Sequence, residues 1–181
     1  ITPPPSATGP EGNPPAMSIP KFTLDGVLPP HNGDPNDKAT TSPYLTTATE
    51  FCQRFGTTKD RRAILKGFLE FRAILHRVQM LDGFQWVDGA FLEDEKITRH
   101  APKELQVVTF CKKPALVNDP AFKDDFKMLA DRAKLKISFR VAHDFVRLDW
   151  GENALIKAAG YWCGILSHQR NTKVWKGLLQ I

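Results

Sequence analysis

Residues 84–110 constrain the fold more than any other stretch. Phe84-Gln85-Trp86-Val87-Asp88 is an aromatic and β-branched run that stops at Gly89-Ala90. After Phe91 to Lys103 comes Glu104-Leu105-Gln106-Val107-Val108-Thr109-Phe110, apolar but for two side chains at its start and Thr109 near its end. The two runs read as strands, and the segment between them is long enough for a helix. Glu104 and Gln106 stand at i and i+2, so a strand projects both to one face of its sheet. Gly89 supplies the backbone freedom for a tight turn or a close approach by a ligand. The pattern therefore predicts a sheet with polar side chains gathered beside a Gly-Ala turn.

The chain has 181 residues, 41% of them hydrophobic, which suffices for one domain with a core. No run approaches the roughly 20 apolar residues that span a bilayer, and no signal peptide is evident at Ile1 or Met17, so a soluble, cytoplasmic protein with no membrane partner is expected. Cys52, Cys111 and Cys163 are odd in number and far apart, which fits neither a disulfide framework nor a Cys-x-x-Cys metal knuckle; they read as small buried hydrophobes. The net charge of +5 is uneven. Residues 1–58 hold Lys21, Lys38 and Arg54 against Glu11, Asp25, Asp34, Asp37 and Glu50, so the basic excess lies downstream. A basic body suits plain solubility, and it also suits the phosphates of a nucleotide or nucleic acid.

Residues 1–16 are Pro, Gly and small polar residues without apolar periodicity and are expected to be disordered, whether a native extension or a cloning remnant. Residues 17–46 read as an extended arm on the surface of a domain spanning 47–181. Thr47-Ala48-Thr49-Glu50 is a capping box for a short helix ending at Gly56. Apolar residues from Ile64 to Leu81 at spacings of three and four predict a second helix, starting at Thr57 or Thr58, with Arg61, Arg62, Lys66 and Arg72 as a solvated face. Asp119-Pro120 opens a helix carrying Phe122, Phe126, Leu129 and Ala133; Ile137 to Leu148 reads as a long alternating strand; Gly151-Glu152 opens a last helix with Leu155, Ala159, Trp162 and Leu166 on one face; and Lys176 to Ile181 reads as an edge strand. The expected class is α+β, a mixed β-sheet backed by helices on one side, with an extended Pro-rich N-terminal arm.

With these elements the chain resembles a small bacterial branch of the polymerase-β-like nucleotidyltransferase superfamily. The likeness rests on Ile19-Pro20-Lys21-Phe22, Gly26 to Pro30, Trp86 to Phe91, Glu104 to Val107, Tyr161 to Arg170 and Lys176-Gly177, and covers nearly all of 19–181. It implies a nucleotidyltransferase-like sheet. In that superfamily a Gly-Ser or Gly-Gly turn meets the triphosphate, here Gly89 and Ala90. An Asp-x-Asp or Asp-x-Glu pair on the next strand holds divalent metal, here Glu104 and Gln106. The resemblance places a third carboxylate on the long strand, where Ala142 stands and Asp144 lies two residues on.

Two-metal transfer needs clustered carboxylates to hold two divalent ions, and a neutral amide is a poor substitute for one of them. Ala90, Glu104, Gln106 and Ala142 all depart from the pattern. The expected function is thus a catalytically degenerate nucleotidyltransferase-like protein that binds a nucleotide or a protein partner as a regulatory module; bacterial defence or a toxin–antitoxin pair is suggested by family analogy. One alternative is an active enzyme modifying a protein or RNA, with Glu104 and Asp144 catalytic, Glu104, Gln106 and Asp144 on Mg²⁺, and Asp88 nearby. The other is a nucleic-acid-binding domain. His143, alternating with apolar residues, reads as a core histidine. His168, Arg170, Lys173, Trp175 and Lys176 form a basic-aromatic cluster, of which Arg170, Lys173 and Lys176 are expected to face the cleft at Gly89 and counter phosphates without metal.

Overall fold

The computed structural model describes residues 19–181, so the expectation of disorder over 1–16 lies outside the described residues. In chain order the regular elements are β1 (Tyr44–Leu45), α1 (Ala48–Phe55), α2 (Lys59–Arg77), β2 (Gly83–Asp88), α3 (Glu95–Thr98), β3 (Leu105–Cys111), α4 (Lys123–Ala130), α5 (Arg132–Phe139), β4 (Val141–Arg147), α6 (Glu152–Leu166) and β5 (Leu179–Gln180), with one short 3₁₀ turn before β1 and three between later elements. The strands form one mixed sheet in the order β1-β5-β2-β3-β4. β2 is antiparallel to both of its neighbours, while β3 and β4 run parallel, as do β1 and β5. The class is α+β, and the three strands anticipated from the sequence lie side by side.

Local chemistry explains the helix starts. Thr47 Oγ1 accepts the Glu50 N–H at 3.1 Å and Thr58 Oγ1 accepts the Arg61 N–H at 3.2 Å. The second half of the predicted capping box does not form. Glu50 instead accepts from Thr46 Oγ1 at 2.8 Å and from the Ile19 N–H at 3.2 Å, tying the arm to the domain. The arm is more than a surface strap: Val27 and Leu28 are fully buried, and Tyr44–Leu45 supplies the sheet's outer strand. That addition moves β5 inward, so the C-terminal segment is covered on both sides and is not an edge.

The long strand predicted over 137–148 starts only at Val141. Residues 132–139 form α5, because Asp131 Oδ1 accepts the Lys134 N–H at 3.0 Å and Leu135 is buried in the core. The alternation of apolar residues at 135, 137 and 139 imitates a strand, but Ile137 faces solvent. Arg140, at φ 54°, ends the helix with its N–H on the Lys136 carbonyl at 3.0 Å. The helix predicted after Asp119 is likewise divided: a 3₁₀ turn at Pro120–Phe122, then α4, which stops before Asp131, so that Ala133 belongs to α5.

The register sorts side chains between two layers. Leu105, Val107, Val141 and Val87 face α1, α2 and α5 in the larger core cluster. Val108, Phe110 and Val146, with Phe84 and Trp86, pack on the opposite face with Leu155, Trp162 and Leu166 of α6. Helices therefore cover both faces of the sheet, not one as the sequence suggested. Tyr161 and Cys163 of α6 are exposed, and of the three cysteines only Cys111 is buried.

Within the larger core a polar chain crosses the adjacent strands β2, β3 and β4. Gln85 Nε2 donates to Thr109 Oγ1 at 2.9 Å, and Thr109 Oγ1 lies 2.8 Å from His143 Nε2. Burial, with a smaller contribution from Arg132, holds the His143 imidazole down at about 3 against an ordinary 6.5. The folded state thus binds fewer protons at this site than the unfolded chain, so its stabilisation is complete above 6.5 and is lost as pH falls toward 3. His143→Gln keeps a partner for Thr109 without titrating; in urea unfolding from pH 7 to pH 4, the stability of wild type relative to this variant should decline steadily. A constant difference would show that His143 does not titrate on unfolding in that range.

Gly67 of α2 sits where α5 crosses it, and an added Cβ would lie 2.1 Å from the Phe139 carbonyl oxygen. Gly67→Ala should therefore destabilise by about 1–3 kcal/mol. Gly160 of α6 has nothing within 4 Å, and Gly160→Ala should be neutral or stabilising by up to about 1 kcal/mol. Chemical denaturation of the pair checks both signs.

Candidate functional site

The cleft is built around the loop that follows β2. Gly89 takes φ 93°, a conformation that disfavours side chains, and Ala90–Leu92 then make a single 3₁₀ turn that buries Phe91 and Leu92. The helix-length segment predicted here is only this turn and the four-residue α3. Asp94 caps α3 by accepting the Lys96 N–H at 2.9 Å, and Arg99, at φ 54°, ends it. No long helix begins at Gly89-Ala90, so the loop lacks the summed peptide dipole that draws phosphates to helix N-termini.

Two buried cations fasten this loop. Arg61, predicted to lie on a solvated face, is only 4% exposed; its guanidinium donates to the Phe91 and Glu93 carbonyls, each at 2.8 Å, and lies over the Phe91 ring. Lys176, 3% exposed, places its ammonium 3.0 Å from Asp88 Oδ1 and 3.1 Å from Glu93 Oε1. Gln169 Nε2 donates to the other Glu93 oxygen at 2.8 Å. The Asp88 contact is an ion pair without good hydrogen-bond alignment, which leaves Oδ1 a buried acceptor without a well-directed donor. Burial raises the Asp88 carboxyl to about 6, against the opposing pull of Lys176.

Around this anchor opens a cleft of about 670 Å³, lined among others by Gly89, Ala90, Glu104, Gln106, Arg170 and Lys176. The sheet register explains the convergence: Asp88 pairs with Gln106, and Gln106 with Ala142, so the three form a row across β2, β3 and β4. Glu104 precedes β3, and its carboxylate is held by Lys136 of α5 at 2.8 Å. Asp144 lies outside. It pairs with Val108, two residues further along β4 than Ala142, and its carboxylate is bonded to Arg132. Lys173 also lies outside, exposed at φ 60° in the tight turn where its N–H donates to the Gln169 carbonyl.

Of the expected phosphate-facing cations, only Arg170 is therefore both in the cleft and exposed, since Lys176 is committed to two carboxylates. Lys103, exposed and also in the lining of the cleft, adds a second solvent-facing cation that the sequence reading missed. Glu93, Gln169 and Lys136 were missed too. Each lies outside the motif, and their meeting depends on tertiary packing. Among the described residues no three His, Cys, Asp or Glu side chains come together in a metal-ligating group, and no helix is long and apolar enough to cross a membrane.

The chain belongs to a family of unknown function, DUF6932, whose sequence model matches residues 20–181. Neither curated proteins nor solved structures returned a match.

Lys176→Met should leave Asp88 and Glu93 buried without their cation, destabilising the fold by about 3–5 kcal/mol. The deficit should shrink as pH is lowered from 8 to 5, because protonation removes the uncompensated negative charge. Urea titrations at both pH values test this; a variant as stable as wild type at pH 8 would show that the ammonium contributes nothing net.

Proposed function

We propose that this protein is a nucleotidyltransferase-like module that has lost two-metal chemistry and binds a nucleotide through its phosphates in the cleft at Gly89. The observation that carries this reading is the row of side chains across β2, β3 and β4. The positions that the superfamily resemblance assigns to metal ligands hold Glu104, the amide of Gln106 and the methyl group of Ala142, with Glu104 already engaged by Lys136. One carboxylate so neutralised is too little negative charge for a pair of Mg²⁺ ions, whatever the sheet geometry. Asp144 does not repair the set, since it sits further along β4 in contact with Arg132.

What supports binding is the cleft that remains. Its volume suits a nucleotide-sized ligand, Gly89 lets backbone approach closely, and Arg170 and Lys103 offer donors that need no metal. Lys176 contributes indirectly: set between Asp88 and Glu93, its one positive charge offsets half of their negative charge and so weakens the repulsion a phosphate would meet. A regulatory role beside a protein partner, in a reducing cytoplasm where the three cysteines stay as thiols, fits a binding module that has lost its chemistry.

Isothermal calorimetry with ATP and GTP tests the proposal. Binding should persist in EDTA, weaken with added salt, and fall about tenfold or more in Lys103→Ala/Arg170→Ala, whose melting temperature should stay close to wild type. Metal-dependent incorporation of labelled nucleotide, abolished by Glu104→Gln, would overturn the loss of chemistry. Absence of nucleotide binding would overturn the cleft assignment, and retention of RNA or DNA with a steep salt dependence would then favour a nucleic-acid ligand.

A further inference from the structure

A second cavity, of about 360 Å³, lies at the opposite ends of β2 and β3 from the Gly89 cleft, between Gly83–Gln85, Thr109–Cys111 and the overlying α2. We propose that it is a binding site for a small carboxylic acid with an aliphatic or aromatic tail, held by Arg72. This assignment is independent of the nucleotide reading.

The walls supply the apolar part. Leu69, Leu75, Met80, Leu81, Phe84 and Phe110 line the cavity, and Leu69 and Leu81 are exposed although large and apolar. Such surface is costly to leave in water and favours an apolar occupant. The charge comes from Arg72, the only Arg or Lys in the lining; His76 stands one helical turn further along α2.

Arg72 is half-buried, and among the described residues no Asp or Glu lies within ion-pair distance of it. Its side-chain hydrogen bond goes to a neutral acceptor, Gln85 Oε1, and its guanidinium lies 5.7 Å from the Phe68 ring centre. A guanidinium carries further N–H donors in a planar fork matched to a carboxylate, so the group is left with unused capacity beside an apolar chamber.

The polar chain through the core holds the fork in place. Arg72 donates to Gln85 Oε1, Gln85 Nε2 donates to Thr109 Oγ1, and Thr109 Oγ1 in turn lies 2.8 Å from His143 Nε2. The first two bonds point the same way, away from the guanidinium. Gln85, Thr109 and His143 are each buried, so this support is fixed by the sheet before any ligand arrives. A carboxylate is preferred over a phosphate because one guanidinium balances one negative charge. With no Lys, no second Arg and no helix N-terminus in the lining, a dianion would be left under-compensated against apolar walls.

Calorimetry and proton–nitrogen NMR with hexanoate and benzoate test the assignment, with hexanol and inorganic phosphate as controls. Hexanoate should bind and shift the amides of Gln85 and Thr109, hexanol should bind more weakly, and phosphate should not displace hexanoate. Arg72→Gln should reduce hexanoate affinity by about tenfold or more, the worth of a hydrogen bond to a charged group. Ala73→Trp alters an exposed position on the cavity wall, and should block binding with Arg72 in place, which keeps the test decisive if the Arg72 variant misfolds. Absence of hexanoate binding, equal affinity in wild type and Arg72→Gln, or displacement by phosphate would overturn the proposal.

Discussion

The loop from Asp88 to Glu93 is held from two directions by buried cations, and the cleft exists because of that clamp. Arg61 reaches it from α2 and binds two backbone carbonyls, while Lys176 reaches it from the segment before β5 and binds two carboxylates. Each cation comes from a part of the chain remote in sequence, so the loop closes only when the helical layer and the C-terminal strand are both in position. A buried ion group of this kind is a weak source of net stability, because desolvation offsets most of the Coulomb attraction. Its effect is selective. Arrangements of the loop that separate these charges leave a bare carboxylate or ammonium in the core, which costs far more than the native pairing contributes.

That clamp also decides the electrostatics of the cleft. Asp88 and Glu93 would make the floor strongly negative, suited to a cation; with Lys176 between them the floor carries a single excess negative charge, spread over a buried network and shared with Gln169. Glu104 is similarly answered by Lys136. Carboxylates are thus present near the ends of the strands, but each is answered by an intramolecular ammonium group. Of the exposed charges left over, Lys103 and Arg170 outnumber Asp25 two to one, so the preference of the site is set by pairing and not by the number of acids near it.

The strand register was largely legible. The aromatic and β-branched runs over 84–88 and 105–110 have one reading; the resemblance put Ala142 at the third carboxylate's position on the long strand, and the pairing of β3 with β4 sets it beside Gln106. The stretch 137–139 was misread as the start of a strand because the alternation at 135, 137 and 139 satisfies both periods. Asp131 as a cap and the close crossing at Gly67 settle it as helix, and neither is visible until α2 is packed against it. Arg61 and Lys176 were misjudged for a shared reason. A basic side chain in a polar stretch reads as solvated, and only the carbonyls and carboxylates contributed by distant segments make its burial affordable. Gly89, by contrast, could be singled out from sequence, because its backbone requirement is local.

On the function proposed above, loss of a reaction need not mean loss of binding. A metal site depends on a few carboxylates whose charge must be uncompensated in the protein, and substitution of one of them, or an ammonium placed beside another, disables it. A cleft that holds anions by guanidinium and ammonium groups on its rim depends on no such imbalance, and the sheet register that shapes it is enforced by the core on both faces. Gln85, Thr109 and His143 carry the same logic to the opposite end of the strands. They are polar groups inside an apolar layer, fully paired with one another, and they deliver one oriented charge to a chamber whose walls are otherwise hydrocarbon. A core built only to be stable would replace that chain with aliphatic side chains of similar volume, at little cost or some gain. Its presence is therefore best understood through the guanidinium it positions.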